Sequence, residues 1–142
     1  MNITYTNSVS VKDYTLLRAS AGWRALHPEQ AKAGIDGSAF LVAALDGEKT
    51  VGVARLIWDG GYGALIKDVL VLPDYQGKGI GKEMVNRIIG FLESQLKPGY
   101  GISVDLVAAK GKEGFYKQFG FTELQNERKG TGMELWLTKE NQ

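Results

Sequence analysis

Residues 76–82, Gln-Gly-Lys-Gly-Ile-Gly-Lys, alternate three glycines with other residues, two of them lysines, just after an apolar run that Pro73 stops. Glycine leaves the backbone bare, so such a segment bends sharply and its N–H groups approach a ligand closely. The run Val69-Leu70-Val71-Leu72 reads as a buried strand, and Pro73 ends it because proline has no N–H for a ladder. Beyond the glycines, Met84, Val85, Ile88, Ile89 and Leu92 recur at helical spacing, which predicts a helix to about Leu96. The free N–H groups and positive dipole end of that helix, with Lys78 and Lys82 beside them, suit a phosphate or pyrophosphate. The spacing is not the G-x-G-x-x-G of a dinucleotide turn, and Glu83 stands where a P-loop needs Ser or Thr. The residues alone give an anion-binding strand–loop–helix element, with a ligand-free glycine turn as the plainer alternative.

Other chemistry-bearing residues are few. Asp68 is the only acid in the strand that enters the glycine loop, among Ile66, Val69 and Leu70, and Asp105 lies on the next strand-like run. Burial there would push a carboxyl towards a useful proton-accepting range, while a carboxylate bonding to nearby backbone or orienting a cationic substrate is the alternative. Trp23 and His27 fall with Arg24 in the connection Gly22–His27. Trp23 and Leu26 could staple helices onto a sheet. A Ser-His-Asp triad would need His27, which has no nucleophile-elbow sequence near it. One histidine and no cysteine make a zinc site improbable and remove any thiolate nucleophile. No metal is expected.

The elements that must position these residues fit one domain over residues 1–142, large enough for a single core. A net charge of +1 gives no basic field for nucleic acid, and no run of like charge marks a membrane surface. The absence of cysteine is compatible with a reducing compartment. The first ten residues lack a charged-then-apolar signal pattern, and no apolar run nears bilayer length, so the expectation is a soluble cytoplasmic protein.

In order, a short strand is expected over Asn2–Thr6. A helix begins at the capping-box-like Ser10-Val11-Lys12-Asp13 and ends near Ala21-Gly22. A second begins at His27-Pro28-Glu29 and ends near Gly34 or Gly37. Ala39–Leu45, Thr50–Trp58 and Ala64–Leu72 read as an antiparallel meander, the first turn carrying the Asp46-Gly47 hairpin signal. After the long helix, Gly101–Ala109 should lie parallel to the strand ending at Leu72. Glu113–Phe119 reads as a short helix capped by Gly120, and Phe121–Leu124 with Met133–Thr138 as a closing pair of strands. The order β-α-α-β-β-β-α-β-α-β-β is α/β, with a mixed, mostly antiparallel sheet flanked by helices.

Gln76, Gly79 and Gly81 match Q/R-x-x-G-x-G/A, preceded by V-x-P-x-Y at Val71, Pro73 and Tyr75, and Phe115-Tyr116 with Gly120-Phe121 matches F-Y-x-x-x-G-F. The chain thus resembles the GNAT N-acetyltransferase superfamily, whose element order it also shares. The resemblance implies acetyl-CoA as cosubstrate. Its pantetheine would pair with backbone at Leu70, Val71 and Leu72, and its pyrophosphate with N–H groups along Gln76, Gly77, Lys78, Gly79, Ile80, Gly81 and Lys82. Phe115 is placed with the same contacts. Tyr116 would be the general acid to the departing thiolate, where a neutral donor gains most as charge appears; packing of the helix on the sheet is the alternative. Asp68 would be general base, directly or through water, and Trp23 and His27 would line the acceptor cleft. The implied function is direct acetyl transfer to a primary amine of a small molecule. An acyl-CoA-binding sensor without turnover and a protein or peptide amine acetyltransferase are the alternatives. Such relatives often pair through C-terminal strands, which allows a homodimer.

Overall fold

The computed structural model describes Met1–Lys139, so the last three residues of the expected domain lie outside the described residues. The chain divides into two compact units, Met1–Leu106 and a second from Val107 onward. The first holds a sheet in the order β1-β2-β3-β4-β5. Its strands are β1 (Ile3–Thr6), β2 (Phe40–Asp46), β3 (Lys49–Trp58), β4 (Gly63–Val71) and β5 (Ser103–Asp105). Its helices are α1 (Val11–Ser20), α2 (Pro28–Asp36) and α3 (Ile80–Gln95). The first four strands pair antiparallel, and β5 pairs parallel to β4 after the α3 crossover, as expected.

Leu41–Ala44 and Val51–Ala54 are buried at every position, which an alternating strand achieves only when both faces are covered. On one face Leu41, Val53 and Leu70 pack with Tyr14 and Leu17 of α1 and Ala31 of α2. The other face receives α3 through its buried stripe Ile80, Met84, Val85, Ile88 and Leu92. At the far end of α3, Phe91 stacks on Phe40 at 4.7 Å and meets Trp58 edge-on at 6.1 Å.

The helix starts follow local chemistry. The hydroxyl of Ser10 accepts from the Asp13 amide at 3.1 Å, and Pro28 occupies the first turn of α2. At Gly52 the side chains of α3 lie close against the sheet. A Cβ there would meet Met84 Cε at 3.1 Å and the Leu70 carbonyl at 3.2 Å. The methionine end can yield, but the backbone oxygen cannot. Gly52→Ala is therefore expected to cost about 1–3 kcal/mol through overpacking, read as a lower urea midpoint at unchanged slope. An unshifted midpoint would show that the layers separate freely.

Two expectations differ from the structure. The strand expected over Gly101–Ala109 contracts to Ser103–Asp105, paired with Gly63–Leu65 of β4. The closing pair, Phe121–Leu124 with Met133–Thr138, is not strand among the described residues. Alternation is present there, but a strand also needs a ladder partner. Met133, Leu135 and Leu137 instead stand 80–97% exposed. The loop before them is held locally, by the Asn126 side chain accepting from the Arg128 and Lys129 amides. In the second unit, α4 (Glu113–Lys117) forms as expected but shorter, with Gly120 at φ +97° behind it.

Candidate active site

The glycine loop takes its shape from backbone conformations few residues accept. After β4, Pro73–Tyr75 make one 3₁₀ turn, and the chain then reverses through Gly77 at φ +75° and Gly79 at φ +85°. Gly79 is the residue before α3, and Gly81 lies inside its first turn. Among the described residues, no amide from Gly77 through Lys82 donates to a protein acceptor; the first that does is Glu83, onto the Gly79 carbonyl at 3.1 Å. A Cβ at Gly77 or Gly79 would meet nothing within 4 Å, so the space above the loop is open. Ile80 is buried and offers only its backbone, whereas Lys78 and Lys82 are exposed. Two side chains moor the loop: Gln76 Nε2 donates to the Val71 carbonyl at 3.0 Å, and the Tyr75 hydroxyl to Asp46 Oδ2 at 2.7 Å. Lys49 Nζ sits 5.6 Å from the Tyr75 ring centroid.

Upstream, β4 loses its parallel partner early. The β4–β5 register ends at Leu65↔Asp105, and among the described residues no strand pairs with Ile66–Val71 on that edge. Within this stretch Asp68 adopts φ +58°. The pairs Val53↔Leu70 and Arg55↔Lys67 leave Ala54 alone opposite both Asp68 and Val69, a bulge with a left-handed residue where glycine is usual. For an L-residue this conformation costs roughly 1–2 kcal/mol, less for aspartate, whose short polar side chain bonds locally.

Asp68 is buried, as expected, but not among apolar neighbours alone. Its Oδ1 accepts from Arg18 Nη1 at 3.3 Å, and its Oδ2 from Arg55 Nε at 2.7 Å and from the Tyr14 hydroxyl. Burial pushes the Tyr14 phenol up, and the bond to Asp68 adds to this. Burial works against the Arg55 guanidinium's charge, yet the bond to Asp68 and its charge carry that group above its ordinary value. Both carboxylate oxygens are thus occupied by donors from α1 and β3, an arrangement that favours a structural anchor over an acid free to take a substrate proton. Tyr14, Arg18 and Arg55 were not legible as partners of Asp68 from local reading. The signal for one of them is an arginine in the middle of the apolar run V-G-V-A-R-L-I-W, because a charge on a buried strand requires a counter-charge.

The connection between α1 and α2 is also fixed. Arg18 Nη2 donates to the Arg24 carbonyl at 2.8 Å, the Trp23 amide donates to the Arg18 carbonyl at 3.1 Å, and the Arg18 guanidinium lies 5.5 Å from the Trp23 ring centroid. Trp23 is 37% exposed. His27 caps α2, its Nδ1 accepting from the Glu29 amide at 3.1 Å. In the second unit, half-buried Tyr116 on α4 stands edge-on to Phe115 at 5.0 Å and to Phe121 at 6.1 Å. Burial raises its phenol above the ordinary value.

An open glycine loop at a helix start, beside a strand that has lost one neighbour, is also the pattern of a known family. The model of the acetyltransferase (GNAT) domain matches residues 36–123. The chain belongs to the GNAT acetyltransferase family. This acetyltransferase is 28% identical over 123 residues to the uncharacterized N-acetyltransferase ycf52 of Pyropia yezoensis, covering 84% of the chain and 68% of that protein. It is 30% identical over 125 residues to the histone acetyltransferase TAP1 of Glycine max, covering 80% of the chain and 52% of that protein. The chain thus spans about two thirds of the first relative and about half of the second. A solved Staphylococcus aureus structure, described as a probable acetyltransferase, superposes with a TM-score of 0.85 at 28% identity over 96% of this chain and all of that one.

Acetyl-CoA is the cosubstrate typical of the family, and the residues here fit it. The unengaged amides from Gly77 to Lys82 suit its diphosphate, and the unpartnered edge of β4 suits the amides of its pantetheine arm. No helix among the described residues is long and apolar enough to cross a membrane.

Proposed function

We propose that the whole chain, as one domain, moves the acetyl group of acetyl-CoA to a primary amine of a small molecule. The observation that carries this reading is the run of amides from Gly77 to Lys82 with no acceptor among the described residues. When bound, acetyl-CoA supplies an acetyl group already activated as a thioester. The amides of the loop and the positive end of α3 hold its phosphates. Backbone along Leu70–Leu72 aligns the thioester, and the N–H near Leu70 donates to the carbonyl oxygen as it gains charge. The amine nitrogen bonds to the carbonyl carbon as the C–S bond breaks. Tyr116 Oη gives its proton to the leaving sulfur, and Phe115 lies with the same cosubstrate contacts. The proton released by the amine passes to solvent, because the oxygens of Asp68 are occupied.

The connection with Trp23 and His27 supports a small acceptor. It is short and held at Trp23, Arg24 and His27, and it leaves the Trp23 indole partly exposed. The name of the soybean relative favours a second reading, a protein amine. In the same reading the protein works in the cytoplasm, in keeping with its cysteine-free sequence. It pairs as a homodimer through the exposed alternating residues Met133, Leu135 and Leu137.

The deciding experiment is acetyl-CoA turnover, followed by thiol release, over primary amines that include polyamines, arylalkylamines, amino sugars and a lysine-bearing peptide. Release that depends on one small-amine class is expected. Release only with the peptide replaces the small acceptor with a protein one. Binding of acetyl-CoA without release under any amine makes the protein a sensor.

A further inference from the structure

We propose that Asp68 is a positioning residue whose single carboxylate fixes both the kink in β4 and the α1–α2 connection. The inference rests on the acetyltransferase reading above. Three observations carry it. Asp68 holds a left-handed conformation at a bulge in the middle of β4, two residues before Leu70. Its oxygens are bound by Tyr14 and Arg18 from α1 and by Arg55 from β3. Each arginine then continues the network outward. Arg18 reaches the Arg24 carbonyl at 2.8 Å, and Arg55 Nη1 reaches the Gly34 carbonyl in α2 at 3.2 Å.

The strand expected to meet the cosubstrate and the loop expected to meet the acceptor therefore share one anchor. A left-handed residue persists only where its surroundings over-determine it. Here three donors do so, and two of them are cations, Arg18 buried and Arg55 part-buried, whose charge needs the carboxylate. Glycine would adopt the kink more cheaply but would bring no acceptor for those groups. Aspartate supplies tolerance of the conformation together with the counter-charge.

Two variants test this. Asp68→Asn keeps the shape and the tolerance of positive φ but removes the charge. Tyr14→Phe leaves the carboxylate in place and removes one of its holders, and so remains informative if the first variant fails to fold. The expected result is a rise in KM for both acetyl-CoA and the amine, roughly tenfold for Asp68→Asn and about threefold for Tyr14→Phe, on the scale of a lost charge-assisted hydrogen bond. For both variants kcat should stay within about threefold, and the acidic limb of its pH profile should persist, since no proton acceptor is lost.

A fall in kcat of a hundredfold or more in Asp68→Asn, with that limb abolished and KM unchanged, would make Asp68 the general base and overturn the proposal. Unchanged KM values in both variants would overturn it as well. Amide hydrogen exchange gives a readout independent of activity. Protection at Val69–Leu72 and at residues 21–27 should fall together, beyond any loss in β1 and β2. If wild-type protein neither binds nor turns over acetyl-CoA, the acetyltransferase reading fails, and the exchange pattern still decides whether Asp68 holds both segments.

Discussion

Phenylalanine in place of Tyr116 is expected to lower kcat by about 10²–10³-fold, the range for loss of a positioned general acid, while the dissociation constant for acetyl-CoA stays within about twofold, since the lost interaction forms only in the transition state. The ring packing should survive the change, because the edge-on contacts with Phe115 and Phe121 are made by the aromatic face and not by the hydroxyl. The hydroxyl is suited to the task by its surroundings. Burial raises its pKa above the ordinary 10.0, so the neutral, proton-bearing form prevails through neutral and mildly alkaline pH. The active form is the protonated one, so wild-type kcat should hold its plateau until the pH passes the ordinary tyrosine value, and should then fall. In Tyr116→Phe that alkaline fall should be absent, because the group that titrates is gone. Steady-state thiol release across a pH series, with calorimetric binding beside it, measures both effects. A kcat within twofold of wild type would remove Tyr116 from the chemistry and leave it as packing.

The second large effect is expected at Gly79. Gly79→Val should weaken acetyl-CoA binding by about 30- to 100-fold, equivalent to losing one or two charge-assisted N–H bonds to phosphate. Crowding is not the cause, since a Cβ at this position meets nothing within 4 Å. The cause is φ of +85°, which a β-branched residue adopts only with strain. Relief of that strain turns the peptide at the start of α3 and swings the adjacent N–H groups away from a common target. Gly79→Asn separates this account from any need for an absent side chain. Asparagine tolerates the left-handed region, so it should retain most of the affinity. If both variants bind as wild type does, the loop amides do not hold the cosubstrate. If both fail equally, space rather than conformation matters there.

The elements with strong local signals were legible. The cap at Ser10, the proline start of α2, the Asp-Gly hairpin and the periodic face of α3 each encode structure within a few residues, and each forms where expected. The glycine loop was legible for the same reason, since positive φ at Gly77 and Gly79 is written in the residue type. Long-range partners were not. Tyr14 and Asp68 are 54 positions apart, and only the packing of α1 on β3 and β4 brings them together. The left-handed turn at Asp68 was hidden because aspartate in a run of branched apolar residues reads as plain strand. The final strands were overread for the opposite reason. Alternation at Met133–Leu137 satisfies the pattern of a strand, but a pattern supplies no partner.

The moorings of the glycine loop bear on how freely it could be moved. Read along the chain, residues 72–83 look like a portable cassette that could be grafted into another strand–helix junction. Tyr75, however, ties to Asp46 and lies beneath Lys49, both at the β2–β3 hairpin, and only Gln76 is secured from within the segment's own strand. A transplant would carry the glycines and leave half of the joint behind. The hairpin at residues 46–49, remote in sequence, would have to travel with it.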